Sequence, residues 1–441
     1  MDKNDSFSGK WGFVIACMGS AIGMGNIWLF PARISALGGF AFLVPYIICV
    51  AVIGLTGVME EITFGRSMCA GAGSAYGKAM RLSGKSQNVG NKLSLIPVLG
   101  SLALAIGYSV VVGWIIKYLI NSINGTLYAT DGIDAFGAMF GKTASSFGNV
   151  PWLILGLAVT FLIMVFGISK GIERANKVMM PLFFIMFVGL AIYIATLPGA
   201  ADGYKYLFTP NWSALLNPET WMFALGQAFF SLSLAGNGTI VYGSYLGEDV
   251  DIKSSAKFIA FFDTLAAIVS SMVIIPAMAV VGEKLSTGGP GLMFIYLPNV
   301  FKSIPYGNFV MIIFFIAVLF AGFTSLINLF ETPVETLQAK LNMSRKKAVA
   351  TIAIVATTIA ILIEGIVSGW MDVCSVYICP IGALIAGIIF FWVLDPAYVL
   401  EQINKGAKHK VGKPFIIMGK YVFCGLTLAV IILGTVFGSI G

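Results

Sequence analysis

The sequence is poor in charge and in the residues that usually carry catalysis. Only 11% of its 441 residues are charged, whereas soluble domains carry about 25%. It contains one histidine, His409 in a basic loop, and neither an H-E-x-x-H nor a G-x-S-x-G pattern. Its six cysteines form no C-x-x-C pair, so the sequence indicates neither a metal site nor a disulfide. These absences exclude an ordinary soluble domain and argue against an enzyme.

Apolar segments make up most of the chain instead, since 58% of its residues are hydrophobic. A helix of about 20 apolar residues can cross a bilayer, and such segments recur eleven times. Because they are continuously apolar rather than alternating, a β-barrel is disfavoured. The sequence predicts an all-α polytopic membrane protein with a single transmembrane domain over residues 1–441. Its eleven spans lie near 11–36, 40–68, 92–122, 151–168, 177–198, 219–245, 257–281, 307–340, 348–367, 374–394 and 416–438.

The basic residues predict the orientation of these spans. With the N-terminus in the cytoplasm, the inner segments hold 21 of the 27 Lys and Arg residues, as the positive-inside rule requires. An odd number of spans then places the C-terminus outside. The net charge of +7 is therefore attributed to topology and not to nucleic-acid binding. We expect a multi-pass protein of a bacterial inner membrane, with the lipid bilayer as its partner.

Two predicted spans carry residues that weaken a helix. Span one contains "SAIGMGNIWLFP" at 20–31 and span six contains "SLSLAGNG" at 231–238, and each glycine costs a helix about 1 kcal/mol relative to alanine. Non-helical backbone at membrane depth is tolerated only where protein or a polar cavity satisfies it. Two such breaks predict a five-plus-five inverted repeat with a binding site at the midplane. The first repeat covers about 11–198 and the second about 219–394, with an extra helix at about 416–438.

A broken helix offers two kinds of binding group. Free amides at the start of a half-helix attract a carboxylate, and free carbonyls at the end of the other half attract a cation. Sodium, a hard cation, prefers such oxygen ligands. The breaks therefore suit a zwitterion together with sodium.

Other spans contribute polar side chains. Asp263 stands amid apolar neighbours in span seven, and a carboxylate there is functional by default. Thr324 and Ser325 are adjacent in span eight, although such hydroxyls also bond back to the carbonyls of their own helix. Tyr108 lies in span three, where a tyrosine is either a ligand or a packing residue. The remaining acidic candidates are Glu61, Glu331, Glu335 and Asp372.

Three motifs in chain order resemble the neurotransmitter:sodium symporter family. They are "GSAIGMGNIWLFP", "GQAFFSLSLAGNGTIVYGSYL" and "FAGFTS", and the likeness covers essentially the whole chain. The resemblance implies a transporter that couples amino-acid uptake to sodium by alternating access, with two sodium ions and an eleven-span form common among bacterial members.

The resemblance also implies the site residues. One sodium would be held by Ala21, Asn26, Ser231 and Asp263 with the substrate carboxylate, and the second by Gly19, Ile22, Ala321, Thr324 and Ser325. The substrate carboxylate would meet Met24, Gly25 and Tyr108, and its ammonium Ala21, Phe230, Ser231 and Ser233. The side-chain pocket would be lined by Leu104, Val111, Phe230, Gly236, Ser325 and Leu329.

Two departures from the family pattern concern the substrate. Gly23 occupies the position where amine-selective members carry an aspartate, so the substrate must bring its own carboxylate. Gly236 replaces an aromatic residue, which enlarges the pocket, and Asn237 beside it offers a polar contact. We therefore expect large hydrophobic or aromatic amino acids, tryptophan among them.

A third departure concerns ions. Asp263 replaces the usual asparagine, and Ala267 one turn later supplies no acid. An ionised Asp263 would take the role that chloride has in chloride-dependent relatives, which predicts chloride-independent uptake. Its protonation after sodium release would allow a proton to be carried back.

The gates depart as well. Leu29 stands at the outer arginine position, which leaves Asp372 without its usual partner, and Arg33 lies one turn further along the same helical face. Phe7 replaces a tryptophan, and Ala339 replaces an acidic residue at the inner end of span eight. The predicted gate residues are Arg33, Asp372, Ser244 and Tyr245.

The sequence thus predicts a sodium-coupled symporter of hydrophobic amino acids that acts as a monomer or loose dimer. A proton-coupled or exchanging carrier with the same broken helices is the alternative within transport. A ligand-sensing receptor or scaffold and an ion channel are alternatives of other classes.

Overall fold

A computed structural model describes residues 6–234, 237–282, 285 and 288–438. Within these ranges every regular element is helical, which confirms the all-α prediction. Seven helices are long and apolar enough to cross a membrane, and a bent pair in span one makes an eighth. The continuous ones are Gly39–Met68, Gln87–Ile123, Ile168–Ala195, Ile252–Val280, Gly307–Leu341, Arg345–Val393 and Lys413–Phe437.

The count of eleven spans stays a prediction. Val150–Val165, in span four, is apolar but shorter, and span six is formed by Pro218–Ser231 and Gly238–Ser244 on either side of residues outside the description. Spans nine and ten follow one another within Arg345–Val393, with a 3-10 turn at Glu364–Ile366 between them. The repeat boundaries and the orientation of the termini likewise remain predictions.

Span one is broken where its sequence weakens the helix. Lys10–Ala21 ends before Ile22, whose backbone is extended, and Gly25–Ala36 continues at an angle of 53°. The two glycines differ in their surroundings. A Cβ on Gly23 would lie 3.1 Å from both the Ser325 Oγ and the Tyr108 hydroxyl, whereas one on Gly25 would meet only Gln227, at 3.8 Å. A side chain at position 23 would therefore need its neighbours to shift by a few tenths of an ångström, whereas one at position 25 would not.

Span six is broken by two residues with left-handed backbones. Ser233 has a φ of 58° and Asn237 a φ of 51°, a region that residues with side chains seldom occupy. Pro218–Ser231 ends before the first, and Gly238–Ser244 begins after the second. Spans one and six are therefore both interrupted, as predicted.

The second half of span six packs against span two with little space between the backbones. A Cβ on Gly65 would lie 1.8 Å from the Ile240 carbonyl oxygen, and one on Gly243 would lie 2.5 Å from the Ile62 carbonyl oxygen. Small residues permit this close approach of helices. The half-helix is thus held directly against span two.

Short helices complete the fold outside the spans. Ala72–Leu82 follows span two, Ile133–Thr143 follows span three and Ala200–Phe208 follows span five. Helical turns from Gly289 to Lys302 precede span eight, and Pro396–Asn404 follows span ten. The six cysteines are all free, consistent with the absence of a pairing pattern in the sequence.

Candidate functional site

A cavity of about 440 Å³ lies at the two helix breaks. This volume falls in the usual range of small-molecule sites. All the predicted substrate-binding residues that the structure describes line it: Ala21, Met24, Gly25, Leu104, Tyr108, Val111, Phe230, Ser231, Ser233, Ser325 and Leu329. Gly236, the remaining one, lies outside the described residues. The structure therefore brings the predicted set together, while its binding role stays a prediction.

One wall of the cavity combines a backbone amide with a phenol. The Met24 amide, just after the break in span one, donates to the Tyr108 hydroxyl at 3.3 Å. Span three thus places the Tyr108 hydroxyl at the start of the second half-helix of span one. An amide and a hydroxyl that converge in this way can both donate to a carboxylate.

The opposite face of the break is satisfied by a hydroxyl of span six. Ser233 Oγ donates to the Ser20 carbonyl at 2.7 Å, and the Ser233 amide donates to the Phe230 carbonyl at 3.0 Å. Both Ser20 and Ser233 line the cavity. The two broken helices are therefore joined by a direct hydrogen bond between their breaks.

Asn26, Ser231 and Asp263 form one fully connected polar network. Asn26 Nδ2 donates to Asp263 Oδ1 at 2.8 Å and to the Ser231 Oγ and the Asp263 carbonyl, each at 3.1 Å. Ser231 Oγ in turn donates to the Asp263 carboxylate at 2.7 Å. All three residues are buried. Oxygens of spans six and seven thus converge beside the cavity, and oxygen is the ligand type that a hard cation prefers. Asn26 turns its amide nitrogen toward them, while its Oδ1 accepts from the Gly23 amide at 3.1 Å.

Tyr46 also belongs to this network, and the sequence did not reveal it. Its hydroxyl donates to Asp263 Oδ2 at 3.3 Å, and its ring packs edge-on against Phe30 at 4.9 Å. A tyrosine in an apolar helix more often serves packing, so the sequence offered no signal. The contact depends on the packing of span two against span seven.

A second group of oxygens surrounds Ser325. The Ser325 Oγ lies 3.2 Å from the Gly19 carbonyl, 3.3 Å from the Ser20 carbonyl and 3.2 Å from the Ile22 carbonyl. A hydroxyl has one proton to donate, so it cannot satisfy three carbonyls at once. The Ser20 carbonyl already accepts from Ser233, so the Gly19 and Ile22 carbonyls compete for this proton. This excess of acceptor oxygens is the arrangement that a hard cation such as sodium would complete.

Thr324, next to Ser325, behaves differently. Its Oγ1 donates back to the carbonyls of Phe320 at 3.0 Å and Ala321 at 3.2 Å in its own helix. The sequence left open whether these hydroxyls reach another span or bond back to their own helix. Ser325 does the first, since it contacts span one, and Thr324 does the second, since it donates to carbonyls of span eight. Thr324 still lies against Gly19, where an added Cβ would be 2.8 Å from the Thr324 Cβ.

Asn237 does not line the cavity, contrary to the expected polar contact with substrate. Its Oδ1 accepts a hydrogen bond of 2.8 Å from the Tyr76 hydroxyl. Because the left-handed backbone at Asn237 begins the second half of span six, its side chain is directed toward the helix Ala72–Leu82 instead. The sequence placed this residue at the break but could not give its direction.

Arg33 and Asp372 both line the cavity. Arg33 donates to the Phe223 carbonyl at 3.3 Å and covers the Phe223 ring at 4.7 Å. Among the described residues no ion pair joins Arg33 to Asp372. In this conformation the two predicted gate residues share a cavity without closing it, and their pairing stays a prediction.

At the other end of the bundle, near the N-terminus of span one, a buried ion pair joins spans eight and nine. Arg345 donates to both carboxylate oxygens of Glu331 at 2.8 Å, and the Tyr245 hydroxyl donates to Glu331 at 2.9 Å. Phe7 packs edge-on against the Tyr245 ring at 6.5 Å. Ser244, by contrast, donates to the Val241 carbonyl of its own helix.

The sequence identified Glu331 as a candidate but not Arg345, the residue that pairs with it. Glu331 was a candidate because a carboxylate within an apolar span needs a partner. The arginine that supplies the partner is fourteen positions away, across the turn between two spans. Without the position of that turn, the sequence could not join them.

Comparisons with known proteins find similar sequences over almost the whole chain. The model of the sodium:neurotransmitter symporter family matches residues 4–136 and 133–440. An uncharacterised sodium-dependent transporter of Bacillus subtilis is 31% identical, over 94% of this chain and 93% of its own length. One from Methanocaldococcus jannaschii is 28% identical, over 99% of this chain and 90% of its own length.

A solved structure is similar over almost the whole length. The crystal structure of MhsT in complex with L-phenylalanine superposes with a TM-score of 0.84 at 34% identity, covering 97% of this chain and 99% of that chain.

Proposed function

Because the chain belongs to the sodium:neurotransmitter symporter family and is thus a sodium-dependent transporter, we propose that it couples uptake of large hydrophobic or aromatic amino acids to sodium. The observation that carries this proposal is the position of the cavity. One of its walls is the amide and phenol of Met24 and Tyr108, and two groups of oxygens lie directly beside it.

The substrate class follows from the groups at the break. The Met24 amide and the Tyr108 hydroxyl suit a carboxylate, and the wall offers no acid at Gly23 to replace one. An α-amino acid supplies the carboxylate itself, whereas a biogenic amine does not. The ammonium would lie near the Ala21 and Phe230 carbonyls and Ser231, within reach of Ser233.

The side chain would lie among Leu104, Val111, Phe230 and Leu329. These residues are apolar, and the volume of about 440 Å³ exceeds what a small aliphatic side chain needs. Gly236, expected in this pocket from the sequence, has no side chain at a position where the family carries an aromatic ring. Phenylalanine, bound in the similar MhsT structure, and tryptophan are therefore the first substrates to test.

Coupling follows from shared coordination. The first sodium would bind Ala21, Asn26, Ser231 and Asp263 together with the substrate carboxylate, so each ligand strengthens the other by reciprocal linkage. The second would bind Gly19, Ile22, Ala321, Thr324 and Ser325 and join span eight to the first half of span one. The membrane potential then adds about 2.3 kcal/mol per charge per 100 mV to uptake.

The proposal includes independence from chloride. Asp263 already places a carboxylate in the polar network, so no external anion is required to balance sodium. It also includes a cytoplasmic N-terminus and an extracellular C-terminus, which the distribution of basic residues supports. The chain would work in a bacterial inner membrane as a monomer or loose dimer.

The deciding experiment is uptake into proteoliposomes with a panel of twenty amino acids, with and without sodium and with and without chloride. We expect sodium-dependent accumulation of phenylalanine and tryptophan that persists when gluconate replaces chloride. Uptake that is equal without sodium would identify a proton-coupled or exchanging carrier instead. If no amino acid shows sodium-dependent binding, the proposal is wrong.

Tyr108→Phe tests the carboxylate contact. The variant keeps the ring and removes the hydroxyl beside the Met24 amide, so we expect substrate affinity to fall by about threefold to tenfold, the usual value of one hydrogen bond. The measurement is sodium-dependent phenylalanine binding to purified protein. Tyr128→Phe, an exposed tyrosine far from the cavity, is the matched control, and equal affinities of all three proteins would contradict the assignment.

A further inference from the structure

Span two carries two consecutive carboxylates that the proposed transport mechanism does not use. Glu60 and Glu61 are 0% and 1% exposed. Neither carboxylate oxygen of Glu60 has a hydrogen-bond partner among the described residues, and the same holds for Oε2 of Glu61. A buried polar group without a partner is rare in proteins. Two adjacent ones within the membrane span Gly39–Met68 point to a ligand.

None of the described groups that interact with the pair is positively charged. The titratable groups that face it are Tyr76 from the helix Ala72–Leu82, Cys17 from span one and Cys424 from span eleven. The Thr239 hydroxyl, on the second half of span six, interacts with Glu61.

The nearest arginine on the same helix does not neutralise the pair. Arg66 donates instead to the carbonyls of Val250 at 2.8 Å and Gln402 at 2.7 Å, at the end of span two. None of the ion pairs between described residues involves Glu60 or Glu61. No described residue therefore balances the negative charge that the pair would carry if ionised.

These observations decide which ligand fits. An unpaired ionised carboxylate in an apolar interior is very costly, and neighbouring carboxylates disfavour each other's ionisation. A metal cation would require several converging oxygens besides the two carboxylates, and the contact described above adds the Thr239 hydroxyl, whereas a proton removes the charge without further ligands. We propose that Glu60 and Glu61 form a proton-binding site, separate from the sodium and substrate sites and occupied in this conformation.

The position of the pair links the proton to conformation. Span two contacts the second half of span six backbone to backbone, at Gly65 and Gly243, and Tyr76, which faces the pair, donates to Asn237 at the start of that half-helix. Separation of this half-helix from span two would admit water to the carboxylates and allow ionisation. Proton occupancy therefore favours the packed conformation, and alkaline pH opposes it, by reciprocal linkage.

The site itself is tested by infrared spectroscopy of the purified protein in lipid at neutral pH. We expect a carbonyl stretching band of protonated carboxylic acid in the wild type that is largely lost in the double variant E60Q/E61Q. Glu401→Gln, on an exposed carboxylate, is the matched control and should leave the band unchanged. A band of equal intensity in wild type and double variant would overturn the proposal, as would its loss on addition of sodium or potassium alone.

The linkage, which rests on the proposed transport function, is tested by substrate binding at saturating sodium from mildly acidic to alkaline pH. Wild-type affinity is expected to fall by about tenfold at the alkaline end, the value of one unit of pKa difference, whereas E60Q and E61Q should flatten the profile because glutamine mimics the protonated acid. A profile equally steep in both variants would overturn the linkage. Absence of sodium-dependent binding at every pH would refute the transport proposal, while the infrared result would still decide the proton site.

Discussion

Asp263→Asn is expected to abolish sodium-dependent amino-acid binding in chloride-free buffer, with a loss of about 100-fold or more in sodium affinity. The estimate follows from the charge removed, because two unit charges 4 Å apart interact by about 4 kcal/mol at an effective dielectric of 20. Each 1.4 kcal/mol corresponds to a factor of ten in affinity. The measurement is sodium-dependent binding of phenylalanine, titrated with sodium gluconate and then with sodium chloride.

The contacts of Asp263 explain why asparagine is a poor substitute. Its carboxylate accepts hydrogen bonds from Asn26 Nδ2, from the Ser231 hydroxyl and from the Tyr46 hydroxyl. An asparagine keeps one acceptor oxygen but directs an amide group, itself a donor, toward one of these donors. The variant therefore loses both the negative charge and part of the network, and added chloride should restore only the charge.

Two controls separate the charge from general damage. Asp134→Asn changes an exposed carboxylate in the short helix Ile133–Thr143 and should bind sodium as the wild type does. Asp263→Glu keeps the charge with one added methylene and should retain more activity than asparagine. If Asp263→Asn transports fully without chloride, Asp263 does not replace the anion.

The sequence allowed much of this site to be predicted because the helix breaks have a local cause. Glycine and asparagine weaken a helix at the place where they occur, so the interruptions in spans one and six could be predicted from the local sequence. The single polar residues of spans seven and eight could be found in the same way, since polarity within an apolar span is conspicuous. Helix weakening and polarity within an apolar span are both properties of a single segment, and they do not depend on how the segments pack.

What could not be predicted depends on how segments face one another. Thr324 and Ser325 are chemically similar neighbours, yet the rotation of span eight directs Ser325 to the carbonyls of span one and leaves Thr324 bonded to its own helix. Asn237 points to Tyr76 for the same kind of reason. Tertiary packing determines the directions of these side chains, and they cannot be predicted from the local sequence pattern.

Gly23→Asp is the second substitution with a large expected effect, because it introduces a charge at the place proposed for the substrate carboxylate. A Cβ at this position would lie 3.1 Å from both the Tyr108 hydroxyl and Ser325 Oγ, so an aspartate would compete for the same donors. Juxtaposed like charges cost several kcal/mol, and we expect amino-acid uptake to fall by about 100-fold or more. An aromatic amine, which lacks the carboxylate, should bind relatively better than the corresponding amino acid.

Gly23→Asn is the matched control, since asparagine has nearly the size of aspartate and no charge. The tight space at position 23 makes some loss in both variants expected, so the informative quantity is the difference between them. Preference for amine over amino acid should shift in the aspartate variant alone, measured by competition of each ligand against labelled phenylalanine in the presence of sodium. If both variants lose amino-acid binding equally and neither gains affinity for the amine, the effect is steric, and the substrate carboxylate does not lie between Met24 and Tyr108.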